Sequence, residues 1–170
     1  MKRRVLTAGL AAIALAAALV VAAGTILGNR QGGPLSVRDR AGVIWPAAVG
    51  HEFTWAMPLD NQTASDIVVE SIAPDGVAGL EVIGVLATNQ GCEVPSIADG
   101  FPPIAVSTVD PNGAVLARST ICALQTLIGV RRSDANAPGR IEGLRIRYRF
   151  EGATYEDLVP WSLEVKDPGT

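Results

Sequence analysis

Three arginines at alternate positions form the clearest row of like charges in the chain. Arg145, Arg147 and Arg149 are separated by single apolar residues, so in a β-strand their guanidinium groups would project from one face. Guanidinium groups bind carboxylates and phosphates through paired hydrogen bonds. The row is therefore a candidate surface for an anion or an acidic partner. The alternative, which we favour, is a solvated face whose arginines pair with Glu142 and Glu164 on neighbouring strands.

The single histidine is the next candidate. His51 has Glu52 and Met57 nearby in the sequence and could ligate a metal with them. Copper and zinc sites, however, need several imidazole or thiolate donors at suitable spacing. We therefore expect His51 to be exposed at the start of an edge strand, as a weak candidate for a binding surface, and we expect no cofactor.

Patterns typical of catalysis are incomplete. A Ser–His–Asp triad would have to include His51, and no serine stands in the Gly-x-Ser-x-Gly turn of hydrolases. Asp110-x-Asn112-Gly113 matches the start of a calcium loop, but the later acidic ligands of that loop are missing. A turn explains these residues fully. We expect a protein that is not an enzyme.

Cys92 and Cys122 are the two cysteines of the chain. An even number of cysteines in an exported domain predicts a disulfide. A bond between them would close a loop of about 30 residues and stabilise the fold by roughly 3–4 kcal/mol on the chain-entropy model. A redox or metal-binding pair is the alternative, but there is no Cys-x-x-Cys motif.

The compartment is indicated by the first 28 residues. Lys2-Arg3-Arg4 precedes an uncharged apolar run, Val5–Leu27, which as a helix would span about 35 Å and cross a bilayer core of about 30 Å. The basic residues predict a cytoplasmic N-terminus and an exported remainder. A cleaved signal peptide ending at Val21-Ala22-Ala23 is the alternative. We expect retention as a signal anchor because the apolar run is longer than a typical signal core.

Composition divides the rest into two parts. Residues 29–44 mix Gly, Pro and charge and are predicted to form a tether, while residues 45–170 are long enough for one domain with its own core. After the three leading basic residues, 11 Lys and Arg face 17 Asp and Glu, a net charge of −6 (11 − 17). An acidic domain argues against nucleic acid or anionic lipid as the main partner.

The residues after the tether show the period of two that is typical of half-buried strands. It is clearest in residues 144–150 and 159–166, and again around Phe53, Trp55 and Met57. Residues 80–87 are apolar on both faces and predict a central strand, whereas residues 88–103 predict a long loop. Seven or eight short strands with Gly and Pro turns predict an all-β, antiparallel, immunoglobulin-like β-sandwich after one N-terminal transmembrane helix. An up-and-down barrel is the second choice.

The chain loosely resembles small single-pass exported proteins of actinobacteria that carry an immunoglobulin-like sandwich and mostly have no known function. The resemblance rests on Lys2-Arg3-Arg4 with its apolar run, Phe53-Thr54-Trp55 before Asp60-Asn61, residues 79–85, and Gly143–Gly152 with Tyr148. It implies no catalytic or binding residue.

These features predict a non-enzymatic interaction or accessory domain in the cell envelope. Its expected partners are the lipid bilayer, through residues 5–27, and another envelope protein that docks on exposed sheet edges. The alternative is a secreted module that binds a small ligand or metal at His51 or in the Cys92 loop after signal cleavage.

Overall fold

The computed structural model describes residues 32–35 and 42–169. In these ranges the chain is all-β, as predicted, and contains no helix. Its eleven strands there are β1 (Val43–Pro46), β2 (Glu52–Asn61), β3 (Ile67–Asp75), β4 (Leu80–Thr88), β5 (Ile97–Asp99), β6 (Val115–Leu116), β7 (Thr120–Arg132), β8 (Gly139–Ile141), β9 (Gly143–Phe150), β10 (Ala153–Val159) and β11 (Leu163–Lys166).

The predicted transmembrane helix over residues 5–27 lies outside the described residues. Within the part of the chain that is described, no helix has the length and apolarity to span a membrane.

The strands form three sheets. The first, called the charged sheet below, has the order β10-β9-β3-β6, and the second, called the covered sheet, has the order β4-β7-β2-β5. All pairs in these two sheets are antiparallel. The third sheet, β1-β11-β8, is mixed, because β1 runs parallel to β11 while β8 runs antiparallel to it.

One cluster of buried residues joins the charged and covered sheets into a β-sandwich. Phe53 and Leu59 of β2 belong to it, together with Leu144, Ile146 and Tyr148 of β9, and all five are fully buried. Burying a large apolar side chain contributes roughly 1.5–3 kcal/mol, so this shared core is the main source of stability. It also fixes the outward direction of the alternate residues on both sheets.

Several predicted strand positions were wrong. His51 does not open an edge strand, because β5 pairs along β2 from Phe53 to Trp55 and places β2 inside the covered sheet. Residues 80–87 form the edge strand β4 instead of a central one. Their two apolar faces have another cause: Val85 packs on the main core, and Leu86 packs on a second cluster beyond the sheet.

Residues 159–166 form parts of two strands. β10 ends at Val159 and β11 begins at Leu163, with Pro160, which has no N–H to donate, between them. Residues 104–109 form no named strand and pair with the sheet at Val109, through a bridge to Ala87. The described strands exceed the predicted seven or eight because β1, β5, β6 and β8 have two to four residues each, too few for alternation to be recognised.

Candidate functional site

The predicted arginine row lies on the outer face of the charged sheet, and it is paired with carboxylates. Arg145 donates to Asp75 of β3 and to Glu156 of β10, each at 3.0 Å. Arg147 and Arg149 both bind Glu70, at 2.9 and 3.1 Å. We call this set the ion-pair ladder; its members are Arg145, Arg147, Arg149, Glu70, Asp75 and Glu156.

An irregularity in β3 explains how one carboxylate reaches two arginines. The register between β3 and β9 shifts between Val69 and Ser71, so Glu70 has no direct partner on β9. Such a bulge re-aims the side chain at its position. The pairing predicted with Glu142 and Glu164 was wrong in its partners, although the predicted solvated and paired face is confirmed.

The ladder is a polar surface without net charge. Three guanidinium groups, about half exposed, face three carboxylates that are less exposed. The hydrogen bonds that Arg145 donates, first to Asp75 and next to Glu156, raise the pKa of its guanidinium. An anion that binds this face must therefore compete with carboxylates already in place, and a partner with alternating charges matches it better than a simple polyanion.

His51 lies beside a carboxylate of β5. Its Nε2 is 3.1 Å from Oδ1 of Asp99, and its ring stacks on Phe53 with centroids 6.3 Å apart. Both side chains of the pair are well exposed. Among the described residues, no group of three His, Cys, Asp or Glu side chains could hold a metal ion.

The predicted disulfide between Cys92 and Cys122 is confirmed. It ties residues 89–114, called the covering segment below, to the start of β7. Val94, Ala98 and Val106 of the covering segment pack on the outer face of the covered sheet, where Val94 is buried with Ala56 and Leu127 in a cluster separate from the main core. This packing explains why β2 and β7 are buried on both faces.

Two polar side chains fasten the covering segment further. Gln125 donates through Nε2 to the carbonyl of Val94 at 2.6 Å and accepts from the amide of Val94 at 3.1 Å. Thr54, also buried, donates to the carbonyl of Gly100 at 2.6 Å. Gln125 thus replaces a strand partner for Val94, which satisfies both of its backbone groups in a buried place.

Phe101 lies across two glycines of the covered sheet. A Cβ at Gly129 would be 2.3 Å from Cγ of Phe101, and one at Gly84 would be 2.9 Å from its Cε1. The two glycines therefore form a groove that only residues without side chains can provide. Beyond it, Ile104 stands almost fully exposed.

A contact that was not predicted joins the start of the predicted tether to the charged sheet. The amides of Gly32 and Gly33 donate to Oδ1 of Asp157, at 2.9 and 3.2 Å. The amide of Leu35 donates to the hydroxyl of Tyr148 at 3.2 Å, and that hydroxyl donates to Oδ2 of Asp157 at 2.6 Å. We call residues 32–35 in this position the clasp.

The clasp lies on the inner face of β9 and β10, where space is tight. Tyr148 is fully buried and stacks on Tyr155 with centroids 5.6 Å apart. Burial, and next the hydrogen bond to Asp157, raise the pKa of Tyr148 well above its ordinary value. A Cβ at Gly33 would lie 2.0 Å from the Tyr148 hydroxyl. The two consecutive glycines and the acidic residue on an apolar strand face were the available signals.

Arg132 forms a third polar arrangement at the end of β7. It is 2% exposed, donates to both carboxylate oxygens of Asp167, and donates to the carbonyl of Ala47 at 3.1 Å. It borders a cleft of about 270 Å³ together with Lys166 and residues 135–138. The guanidinium of Arg132 is already paired with Asp167, which follows β11, and with the carbonyl of Ala47, which follows β1. The arrangement therefore joins the ends of β7, β11 and β1.

Comparisons with known proteins add little. No family model matches the chain, and no curated protein matches it. Among solved structures it is similar to the Vibrio cholerae VesB protease, with TM-score 0.40 and 9% identity over 78% of this chain and 32% of the other. It is also similar to a family 123 glycoside hydrolase from Clostridium perfringens, with TM-score 0.31 and 13% identity over 74% and 23%. The chain thus spans about a third or less of each.

Proposed function

We propose that this protein is a membrane-anchored, immunoglobulin-like β-sandwich displayed outside the cytoplasm, where it acts as a non-enzymatic interaction or accessory domain of the cell envelope. The observation that carries the proposal is the Cys92–Cys122 bond. Disulfides form and persist in oxidising compartments and are rare in the cytosol. The basic and apolar leader, Lys2 to Leu27, supplies both the export signal and the membrane span.

The surface that fits an interaction role is the ion-pair ladder. Its six charged side chains lie on one sheet face, in rows set by the strand register. Charges arranged in this way favour a partner with complementary charges in the same spacing and disfavour other partners, so they contribute specificity more than affinity. The edge strand β10, which carries Glu156 of the ladder, offers backbone groups to a partner strand.

Compartment and partner are tested separately. In cells that express the full chain, the mature N-terminus is determined and membranes are washed with carbonate. Retention of residues 1–27 in washed membranes supports the anchor. A chain that begins near Gly24 and is found in the medium would instead support the secreted alternative.

The partner is sought by crosslinking intact cells. A variant with Arg145, Arg147 and Arg149 changed to Gln is compared with a control that carries Arg118→Gln and Arg140→Gln, since both control arginines are exposed and lie outside the ladder. Loss of a crosslinked band in the first variant alone supports recognition through the ladder. Equal bands in all three proteins would exclude it.

A further inference from the structure

The clasp shortens the connection between the apolar run and the domain. The run ends at Leu27, and Gly32 is already bound to Asp157. Five residues span at most about 17 Å when fully extended. If the domain were held only from β1, the sixteen residues from Leu27 to Val43 would reach about 55 Å. The clasp therefore reduces the maximum distance between the end of the apolar run and the domain about threefold.

The tether makes a second contact with the domain close to β10 in the sequence. The amide of Val43 donates to the carbonyl of Ser162 at 2.9 Å, and a Cβ at Gly42 would lie 2.7 Å from the Ser162 hydroxyl. Ser162 follows Asp157 by only five residues, across the end of β10. Both contacts are thus made to the short stretch from Asp157 in β10 to Ser162 just before β11, and we call this stretch, with the tether residues bound to it, the corner.

Strand β1 presents apolar side chains next to this corner. Ile44 is 62% exposed and Trp45 is 36% exposed, directly after the Val43 contact. Among the strands of the described residues, β1 lies at the edge of its sheet and pairs with β11. At a boundary between water and lipid, the ring of a tryptophan can contact lipid while its N–H donates a hydrogen bond.

We propose that the clasp holds this corner against the outer surface of the bilayer, with Ile44 and Trp45 among the lipid headgroups. The inference rests on the proposed membrane anchor. The partner is the headgroup region of the membrane itself, and it is reached through the short connection. Charge does not draw the domain there, since the exported part is acidic.

The native tryptophans provide the probe. Trp55 and Trp161 are buried and Trp45 is not, so a nitroxide on lipid headgroups should quench Trp45 selectively. The full-length protein is reconstituted in phosphatidylcholine vesicles with and without headgroup-labelled lipid. We expect the Trp45 component, defined by subtracting a Trp45→Phe variant, to fall about twofold, as for a ring at headgroup level.

Two variants release the corner in different ways. Gly33→Leu places a side chain where the Tyr148 hydroxyl lies and opens the clasp, and Gly169→Leu, where a Cβ would meet no atom within 4 Å, is its matched control. The other variant keeps Gly33 and carries a flexible insert of about eight Gly and Ser residues between Asn29 and Arg30. This insert lengthens the connection and leaves the clasp unaltered. We expect both changes to abolish quenching of Trp45, and the control to keep it.

Flotation of the vesicles after a carbonate wash separates the two hypotheses. Protein that does not float contradicts the membrane anchor itself. Protein that floats but shows no quenching of Trp45, or the same quenching after both changes, overturns the clasp inference and leaves the anchor intact.

Discussion

The guanidinium of Arg132 and the carboxylate of Asp167 form a two-point contact, with Nη2 donating to Oδ2 at 3.1 Å and Nη1 donating to Oδ1. Arg132 is buried and Asp167 is half exposed. The contact therefore fixes the residue that follows β11 to the end of β7, at the junction between the mixed sheet and the covered sheet.

This pair predicts a stability that depends on pH. Hydrogen bonds from Arg132 hold the pKa of Asp167 below its ordinary value of 3.8. The unfolded chain takes up this proton first as the pH falls, so the contribution of Asp167 is complete above 3.8 and is lost as the pH passes through the lower folded-state pKa. We expect the difference in unfolding free energy between wild type and Asp167→Asn to be constant above pH ~5 and to shrink below 3.8.

Urea denaturation at several pH values measures this difference. The control is the same substitution in an Arg132→Met background, where the carboxylate has lost the guanidinium of Arg132 and the pH-dependent difference should shrink. A difference that stays constant down to pH ~3, or that keeps its full size in the background, would contradict the role given to the pair.

Gln125 is predicted to be more important for stability than its polar side chain indicates. Gln125→Leu removes the partners of the amide and carbonyl of Val94, and buried groups left unpaired cost about 1–3 kcal/mol. Gln62→Leu is a matched change at an exposed position and should alter stability by less than about 0.5 kcal/mol. Equal unfolding free energies for the two variants in urea would show that the Val94 contact is dispensable.

The groove under Phe101 predicts coupling between two positions. Gly129→Ala places a methyl group 2.3 Å from the ring, and such overpacking costs about 1–3 kcal/mol. Phe101→Ala removes the obstacle, so the double variant should be more stable than the sum of the two single changes indicates, by about 0.5–3 kcal/mol. A double-mutant cycle by thermal or urea unfolding gives this value, and strict additivity would mean that the ring does not occupy the groove.

Glu70 is predicted to control the charge of the ladder. Glu70→Gln leaves Arg147 and Arg149 without their carboxylate. Exposed ion pairs contribute about 0–1 kcal/mol, so stability should change little. Retention on a heparin column should increase, because the ladder then carries net positive charge. Glu142→Gln, an exposed change of equal charge outside the ladder, is the control, and equal retention of the two variants would show that only total charge matters.

Strand alternation predicted β9 well because its two faces have different surroundings. Leu144, Ile146 and Tyr148 are fully buried, and the arginines between them face water. In β2 the same rule puts Phe53, Trp55 and Met57 on the buried face and leaves Thr54 on the opposite face, yet Thr54 is fully buried beneath the covering segment. The alternation within a strand shows which of its faces is polar. It does not show which distant segment packs on that strand.

The partners of the arginines and of the tether could not be predicted for a related reason. Glu70 and Glu156 reach the arginine row because β3 and β10 flank β9, and strand order depends on connections that alternation does not encode. Likewise, Gly32-Gly33 has the composition of a flexible linker. Its close approach to Tyr148 depends on the shape of the site that receives it.

The parallel pair of β1 and β11 determines how the domain would respond to pulling. Val43 lies opposite Leu163, and Pro46 lies opposite Lys166, so the chain enters at one end of the pair and leaves at the other. Tension between the N-terminal side of Val43 and the C-terminal side of Lys166 would load the backbone hydrogen bonds of the pair together, in shear, and would not peel them one at a time. The strand arrangement therefore predicts that the domain resists tension applied across this pair.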